Sequence, residues 1–509
     1  MPHPEGQGEF SAMRLWPASV FISCMLLGVN GFAFVMQGAV MLHNPTDMGA
    51  DKEQTTTIST GDDPIMNEVY RPQFHFTARK NWLNDPNGLV YLKGEYHLFF
   101  QHNPFGREWG NMHWGHAVSS DLIHWQELPI ALSPDSNGTC FSGSVVVDKD
   151  NTSGFKSGEE DVLVALYTGE GHGQCVAYSN DRGRSWTRYE KNPVIPLWPD
   201  RDPKVIWHSP TRQWIMALYI EQGSRTGTKG IGFFSSKNLK EWTCLSEIGG
   251  FYECPDLFPL PVDLDPQKIR WVVLGGDGQY LVGQFDGTSF KPESELLPLD
   301  LGQNFYATQT YSDIPPEDGR RIQIAWMRGG EYPGMPFNQQ MTFPCELSLR
   351  TTPEGIRMYR YPVKEIEKIA GQRHSWKEIS LSPGKNLFDG IHHDLLDIHI
   401  DVKLQQNHRF LLRVRGAEIS YNAETGKLVS LGKEADLPPV EGRLRLRILI
   451  DRTSVELFGN EGRVSMSSCF IPVSEEFSLT CEGGPLDISQ IEVIQLNPSL
   501  GAPPFDEKK

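Results

Sequence analysis

The feature that most restricts what this chain can fold into is a succession of short apolar runs. Among them are Leu89-Val90-Tyr91-Leu92, Tyr96-His97-Leu98-Phe99-Phe100, Val145-Val146-Val147 and Val162 to Tyr167, each closed by Gly, Asp, Asn or Pro. Runs of roughly four to eight residues between turn formers suit strands, and they succeed one another too closely to leave room for crossover helices. The region therefore reads as all-β.

A repeated hairpin narrows the choice among all-β architectures. Ser120-Asp121-Leu122-Ile123-His124-Trp125, Ser179-Asn180-Asp181-Arg182-Gly183-Arg184-Ser185-Trp186 and Ser235-Ser236-Lys237-Asn238-Leu239-Lys240-Glu241-Trp242 share one plan of Ser, polar turn and Trp. The tryptophans recur at intervals of about 60 residues, the length of one four-stranded blade with its loops. The middle copy resembles the Asp-box turn of sialidase-type propellers. At that interval residues 70–358 hold a five-bladed β-propeller.

Beyond residue 358 the pattern changes. Residues 359–372 carry one helical stripe, Val363, Ile366 and Ile369, closed by Gly371, and are expected to form a connector helix. In-out alternation then returns in Leu395 to Leu404, Phe410 to Val414, Leu444 to Ile450, Ser454 to Phe458 and Ile491 to Leu496. Such alternation suits sheets packed face to face, so residues 373–500 are expected to form a C-terminal β-sandwich. Residues 43–69 are polar and without periodicity, a linker. In residues 1–42, the stretch from Leu15 to Leu42 has no formal charge and comes directly after Arg14. It reads as a signal peptide or, uncleaved, as a membrane anchor, and either would place the remainder outside the cytoplasm, secreted or periplasmic.

Charge excludes some partners. With 64 acidic against 47 basic residues the formal charge is −17, which repels phosphate backbones and anionic headgroups. A neutral, hydroxyl-rich substrate fits better than nucleic acid. Of eight cysteines, Cys24 lies in the export segment, and the seven that remain cannot all pair. Their spacing shows neither CxxC nor a zinc pattern. His97, His102, His113, His116 and His124 lack ligand spacing and are expected to make structural hydrogen bonds.

Three carboxylates stand in unusual company. Asp85 lies in Asn81-Trp82-Leu83-Asn84-Asp85-Pro86-Asn87-Gly88, Asp202 in Arg201-Asp202-Pro203, and Glu253 in Phe251-Tyr252-Glu253-Cys254-Pro255-Asp256. Alone, the first two read as turns. The aromatic, sulfur and proline neighbours of Glu253 suggest apolar surroundings, which would favour a protonated acid.

In this order the segments resemble glycoside hydrolase family 32, the invertases, levanases and inulinases. The resemblance continues through Phe100-Gln101-His102-Asn103-Pro104, Trp109-Gly110-Asn111-Met112-His113-Trp114-Gly115-His116, Phe141-Ser142-Gly143-Ser144, Phe305-Tyr306-Ala307-Thr308-Gln309 and Asp451-Arg452-Thr453-Ser454-Val455-Glu456-Leu457-Phe458. It implies Asp85 as nucleophile, Glu253 as acid/base and Asp202 as transition-state stabiliser in a retaining β-fructosidase. It also implies release of terminal fructosyl units from levan, inulin or sucrose, with no metal or organic cofactor. Asn84, Gln101, Ser142 and Arg201 would bind sugar hydroxyls, and Trp109, Phe141 and Trp326 would offer apolar faces to the sugar. The segment Gly334 to Pro344 is more similar to levanases than to plant invertases, which favours a fructan. Fructosyl transfer and endo cleavage stay open. A carbohydrate-binding protein on the same scaffold would be expected to have lost one of the three carboxylates, and all are present.

Overall fold

The computed structural model describes residues 66–500, so the apolar stretch from Leu15 to Leu42, with Cys24, and most of the expected linker lie outside the described residues. Among the described residues no helix is long and apolar enough to cross a membrane.

The described chain is a five-bladed β-propeller followed by a β-sandwich. Blade I comprises Asn81–Leu92, Glu95–Asn103, His113–Ser119 and Gln126–Leu132, antiparallel from the axis outward. Blade II comprises Cys140–Asp148, Val162–Gly169, Gly173–Ser179 and Thr187–Arg188, and blade III Arg201–His208, Gln213–Ile220, Gly230–Ser236 and Thr243–Gly249. Blade IV opens with Asp256–Val262, Asp265–Leu274 and Gln279–Phe285. Blade V is built from Tyr306–Thr310, Arg321–Trp326, Cys345–Thr352 and Gly355–Pro362. The first strands of the five blades meet in a ring around the axis.

The repeated hairpin occupies the same place in blades I, II and III, between the third and fourth strands. In each copy the indole N–H donates to the carbonyl three residues earlier: Trp125 to Leu122 at 3.1 Å, Trp186 to Gly183 at 3.1 Å and Trp242 to Leu239 at 3.2 Å. Those three acceptors all have left-handed backbone, with φ of 68°, 80° and 60°. The turning carboxylate or amide is Asp121, Asp181 or Asn238, each paired with a serine two residues before it. That serine is Ser119 in blade I and Ser236 in blade III, so alignment of the repeat on Ser120 and Ser235 is one residue out of register. Blade IV keeps the turn without its tryptophan: Asp286 Oδ1 accepts from the Thr288 and Ser289 N–H groups.

The segment Gly334 to Pro344 closes the ring. Phe337 and Asn338 pair in parallel with Asn81 and Trp82, and the Asn81 N–H donates to the Pro336 carbonyl at 2.7 Å. Phe337, Gln339, Gln340 and Phe343 are buried. Its likeness to levanases therefore falls largely on a closure and not on an open rim.

The sandwich faces a six-stranded sheet, ending on Ala370–Leu381 and Val464–Cys469, against a five-stranded one, with a continuous apolar core between them. Where a helix over 359–372 was expected, there is a six-residue 3-10 turn, Lys364–Ile369. Gly355–Pro362 pairs as a full strand and Ala370 begins the next, which leaves only this turn free. Ile366 and Ile369 of the predicted stripe are buried in a cluster that also holds Phe74, Phe100, Leu449 and Phe458, so propeller and sandwich share one core.

A buried ionic knot pins the same interface. His75, ahead of blade I, has Nδ1 2.9 Å from Asp451 and Nε2 2.9 Å from Glu456, both carboxylates of the sandwich. Arg360 of blade V donates to Glu456 at 2.7 Å and reaches Asp300 at 3.2 Å. Thus Asp451 and Glu456, which the sequence shows only as part of a motif, join the two domains. Burial by itself would lower the His75 pKa, but hydrogen bonds to both carboxylates outweigh it and raise the pKa to about 9. A histidine whose pKa rises on folding adds stability that is full below 6.5 and is lost as pH climbs through about 9. His75→Gln should lower the unfolding free energy at pH 7 by about 3–5 kcal/mol. In urea titrations the gap to wild type should shrink towards pH 10, and a gap independent of pH would contradict a charged His75.

Candidate active site

The inner strands of all five blades run the same way, and the candidate residues sit at their N-terminal ends. There the ladders are broken. Register shifts fall between Leu83 and Pro86 in blade I, between Cys140 and Gly143 in blade II, opposite Asp202 and Pro203 in blade III, and between Tyr306 and Gln309 in blade V. A bulge turns a side chain out of the strict alternation and towards the axis. Asp202, Glu253, Cys254 and Ala307 also hold left-handed φ, at 64°, 49°, 40° and 49°. Backbone of this kind in non-glycine residues is costly, and it clusters where side chains must be aimed.

Asp85, Asp202 and Glu253 converge. Asp85 accepts from Ser142 Oγ at 2.6 Å and from Asn84 Nδ2 at 3.0 Å, while Asn84 Oδ1 accepts from the Trp82 indole at 2.8 Å. The Cys254 thiol lies 3.5 Å from Asp85 and 3.6 Å from Asp202, and the Cys254 N–H donates to Asp202 at 3.1 Å. Glu253 is held on both oxygens, by Arg201 Nη2 at 2.7 Å and by the Tyr306 hydroxyl at 2.6 Å. Its carboxylate thus faces a cation and a phenol, not the apolar surroundings its sequence neighbours suggest.

Charge crowding shifts the protonation of the cluster. Burial pushes the Asp85 carboxyl up, hydrogen bonds from Ser142 and Asn84 pull it back in part, and the charge of Glu253 raises it again. Asp202 is pushed up to about 7 by burial and then by the charges of Asp85 and Glu253, against the pull of Arg201 and the Cys254 N–H. The Cys254 thiol goes up for the same reasons, burial first, and stays protonated.

Other expected residues take distinct places. Trp109 is exposed and meets Phe141 edge-on, with ring centroids 6.0 Å apart. Phe141 in turn meets Trp198 at 6.1 Å, making an aromatic rim whose third member sequence reasoning missed. Gln101 is buried and donates to the Cys140 carbonyl at 2.9 Å, tying blade I to blade II behind the site. Trp326 is also buried. It stands edge-on to Trp82 and Tyr306, and its indole donates to Gln339 at 3.0 Å.

Sequence reasoning also gave no part to Tyr306, although it lies in a family motif, or to Glu221, 3.2 Å from Arg201. Only Tyr306 carried a sequence signal. The histidines make structural hydrogen bonds, as expected: His102 with the Trp82 carbonyl at 2.8 Å, His113 with the Asn111 carbonyl at 2.6 Å, and His97 with His116 at 3.0 Å. Among the described residues no group of His, Cys, Asp and Glu is arranged to hold a metal, and all seven described cysteines are free.

Comparison with known families decides what this arrangement belongs to. The glycosyl hydrolases family 32 N-terminal domain matches residues 75–362, and the family's C-terminal domain matches residues 365–495. The chain belongs to glycosyl hydrolases family 32. Within the family it is 43% identical to a levanase of Bacillus subtilis, over 87% of this chain and 73% of that protein. It is 31% identical to the extracellular exo-inulinase of Aspergillus ficuum, over 84% of this chain and 94% of that protein. The crystal structure of an exo-inulinase from Aspergillus awamori superposes with a TM-score of 0.76 at 29% identity, covering 85% of this chain and 99% of that one.

Crowded carboxylates have a stability consequence for this family 32 enzyme. Because folding raises the Asp202 pKa from 3.8 to about 7, its cost to stability is absent below the lower value and complete above the higher one. Asp202→Asn should therefore raise the melting temperature at pH 8, by up to about 4 kcal/mol in free energy, and gain progressively less towards pH 4. Calorimetry across that range checks it; an equal gain at both ends would contradict the shifted carboxyl.

Proposed function

We propose that this enzyme is a retaining exo-β-fructosidase that removes terminal fructosyl units from a fructan or from sucrose. The observation that carries the reading is the meeting of Asp85, Asp202 and Glu253, from three blades, in one cluster. Asp85 and Glu253 belong to one cluster, as the nucleophile and the acid/base of a double displacement must.

Asp85, aligned by Ser142 and Asn84, attacks the anomeric C2, and an ester bond forms as the C2–O bond to the leaving group breaks. Glu253, steered by Arg201 and Tyr306, delivers the proton that the leaving oxygen needs. In the second half Glu253 takes a proton from water, whose oxygen attacks C2 while the ester bond breaks and Asp85 is freed. Asp202 accepts from ring hydroxyls and favours the oxocarbenium-like state. The Trp109, Phe141 and Trp198 rim offers ring faces to the next sugar of a chain.

Relatives named levanase, exo-inulinase and invertase support a fructoside as substrate. The apolar stretch from Leu15 to Leu42 supports export, by a cleaved signal or an anchor.

Asp85→Ala should lose at least about 10⁴-fold in kcat on sucrose while its melting curve stays cooperative. The first products from levan and inulin should be fructose alone. Early oligosaccharides would mean endo cleavage or transfer, and residual activity near wild type would overturn Asp85 as nucleophile.

A further inference from the structure

The inner strands that carry the site at their N-terminal ends carry a second, unrelated cavity at their far ends. From Ser142 to Asp148 the strand of blade II rises about 20 Å along the axis. A cavity of about 710 Å³ opens there, lined from blades II, III, IV and V. Its walls combine two kinds of surface. Trp207 is exposed, Trp271 is partly so, and Phe285 lies between the blades, its ring centroid 5.3 Å from that of Trp271. Beside the rings, Arg321 Nε and Ser312 Oγ are buried without a hydrogen-bond partner. Asp313 accepts from the Val147 N–H at 3.0 Å and lies 3.7 Å from Lys149.

None of this serves the reaction, and little of it is explained by packing. Trp207 meets Trp214 edge-on at 5.0 Å and leaves part of its surface exposed in the cavity wall. Arg321 is held from inside the blade, its Nη1 donating to the Tyr311 carbonyl at 3.0 Å. Exposed indoles supply flat apolar faces, while Lys149, Asp150 and Asp286, exposed at the rim, supply a donor and acceptors beside them. That mixture suits a neutral polyol with an apolar carbon edge, and the chain's charge of −17 disfavours an anionic occupant.

We propose that this far mouth of the propeller is a non-catalytic binding site for a neutral oligosaccharide, a segment of the polymeric fructan substrate. The proposal rests on the fructosidase reading for the identity of the sugar. Since the cavity and the catalytic site lie at opposite ends of the same inner strands, a polymer held here stays near the enzyme between turnovers without competing for Asp85. The site would matter for long chains and be silent for sucrose.

Affinity electrophoresis through levan and inulin, run on the Asp85→Ala protein, tests this. Adding Trp207→Ala should weaken retardation at least about threefold, and Ser209→Arg, which crowds the mouth from an exposed position, should do the same. In the active background both variants should keep sucrose kcat/KM within about twofold of wild type, showing intact folding, while KM for polymer rises. Unchanged retardation and unchanged polymer KM in both variants would overturn the second site. Failure of the wild-type enzyme to cleave any β-fructoside would instead overturn the reading beneath it.

Discussion

The Arg201 guanidinium lies 2.7 Å from Glu253, 3.2 Å from Glu221 and 4.0 Å from Asp202, and it stacks over the Tyr219 ring at 4.5 Å. It is the positive charge about which the acidic cluster is arranged. Burial first, and then the like charges of Asp85 and Glu253, push the Asp202 carboxyl up to about 7. The cluster persists because each carboxylate comes from a different blade, and moving one would mean moving a whole sheet. The energy that keeps the blades in place comes from their packed apolar faces and from the core shared with the sandwich. The chemistry thus depends on burial at a distance, a division common where strained or charged sites sit on rigid scaffolds.

The sandwich has a clear mechanical part in this. His75 reaches from the start of the propeller to Asp451 and Glu456, and Arg360 reaches from its last strand to Glu456 and Asp300. The first and last parts of the propeller are therefore held by one shared sandwich carboxylate, Glu456. Together with the pairing of Phe337 and Asn338 to Asn81 and Trp82, this closes a ring whose blades would otherwise be free to part between V and I.

Much of this was legible in the sequence because short apolar runs and a repeated Trp hairpin are local signals. Blades I to III announced themselves through Trp125, Trp186 and Trp242, although the capping serine was misjudged by one residue in two copies. Blade IV was silent, since its turn at Asp286 lacks the tryptophan. The helix expected near Ile366 shrank to a single turn because strand pairing on both sides claimed its ends. The three carboxylates were found through their motifs, whereas their settings were not. Bulges at Asp85 and Ser142 arise from the register of neighbouring strands, and the contacts of Tyr306 and Trp198 depend on which blades adjoin. The surroundings of Glu253 differ from those its sequence neighbours suggest because its hydrogen-bond partners, Arg201 and Tyr306, come from blades III and V.

The proposed double displacement makes Asp85 a transient covalent partner of the sugar. Rapid acid quenching during turnover of a fructoside with a good leaving group, in a Glu253→Gln variant slow to release its ester, followed by peptide mapping, tests this directly. A fructosyl adduct on Asp85 is the predicted result. A product of inverted configuration with no adduct, or an adduct on another carboxylate, would contradict it.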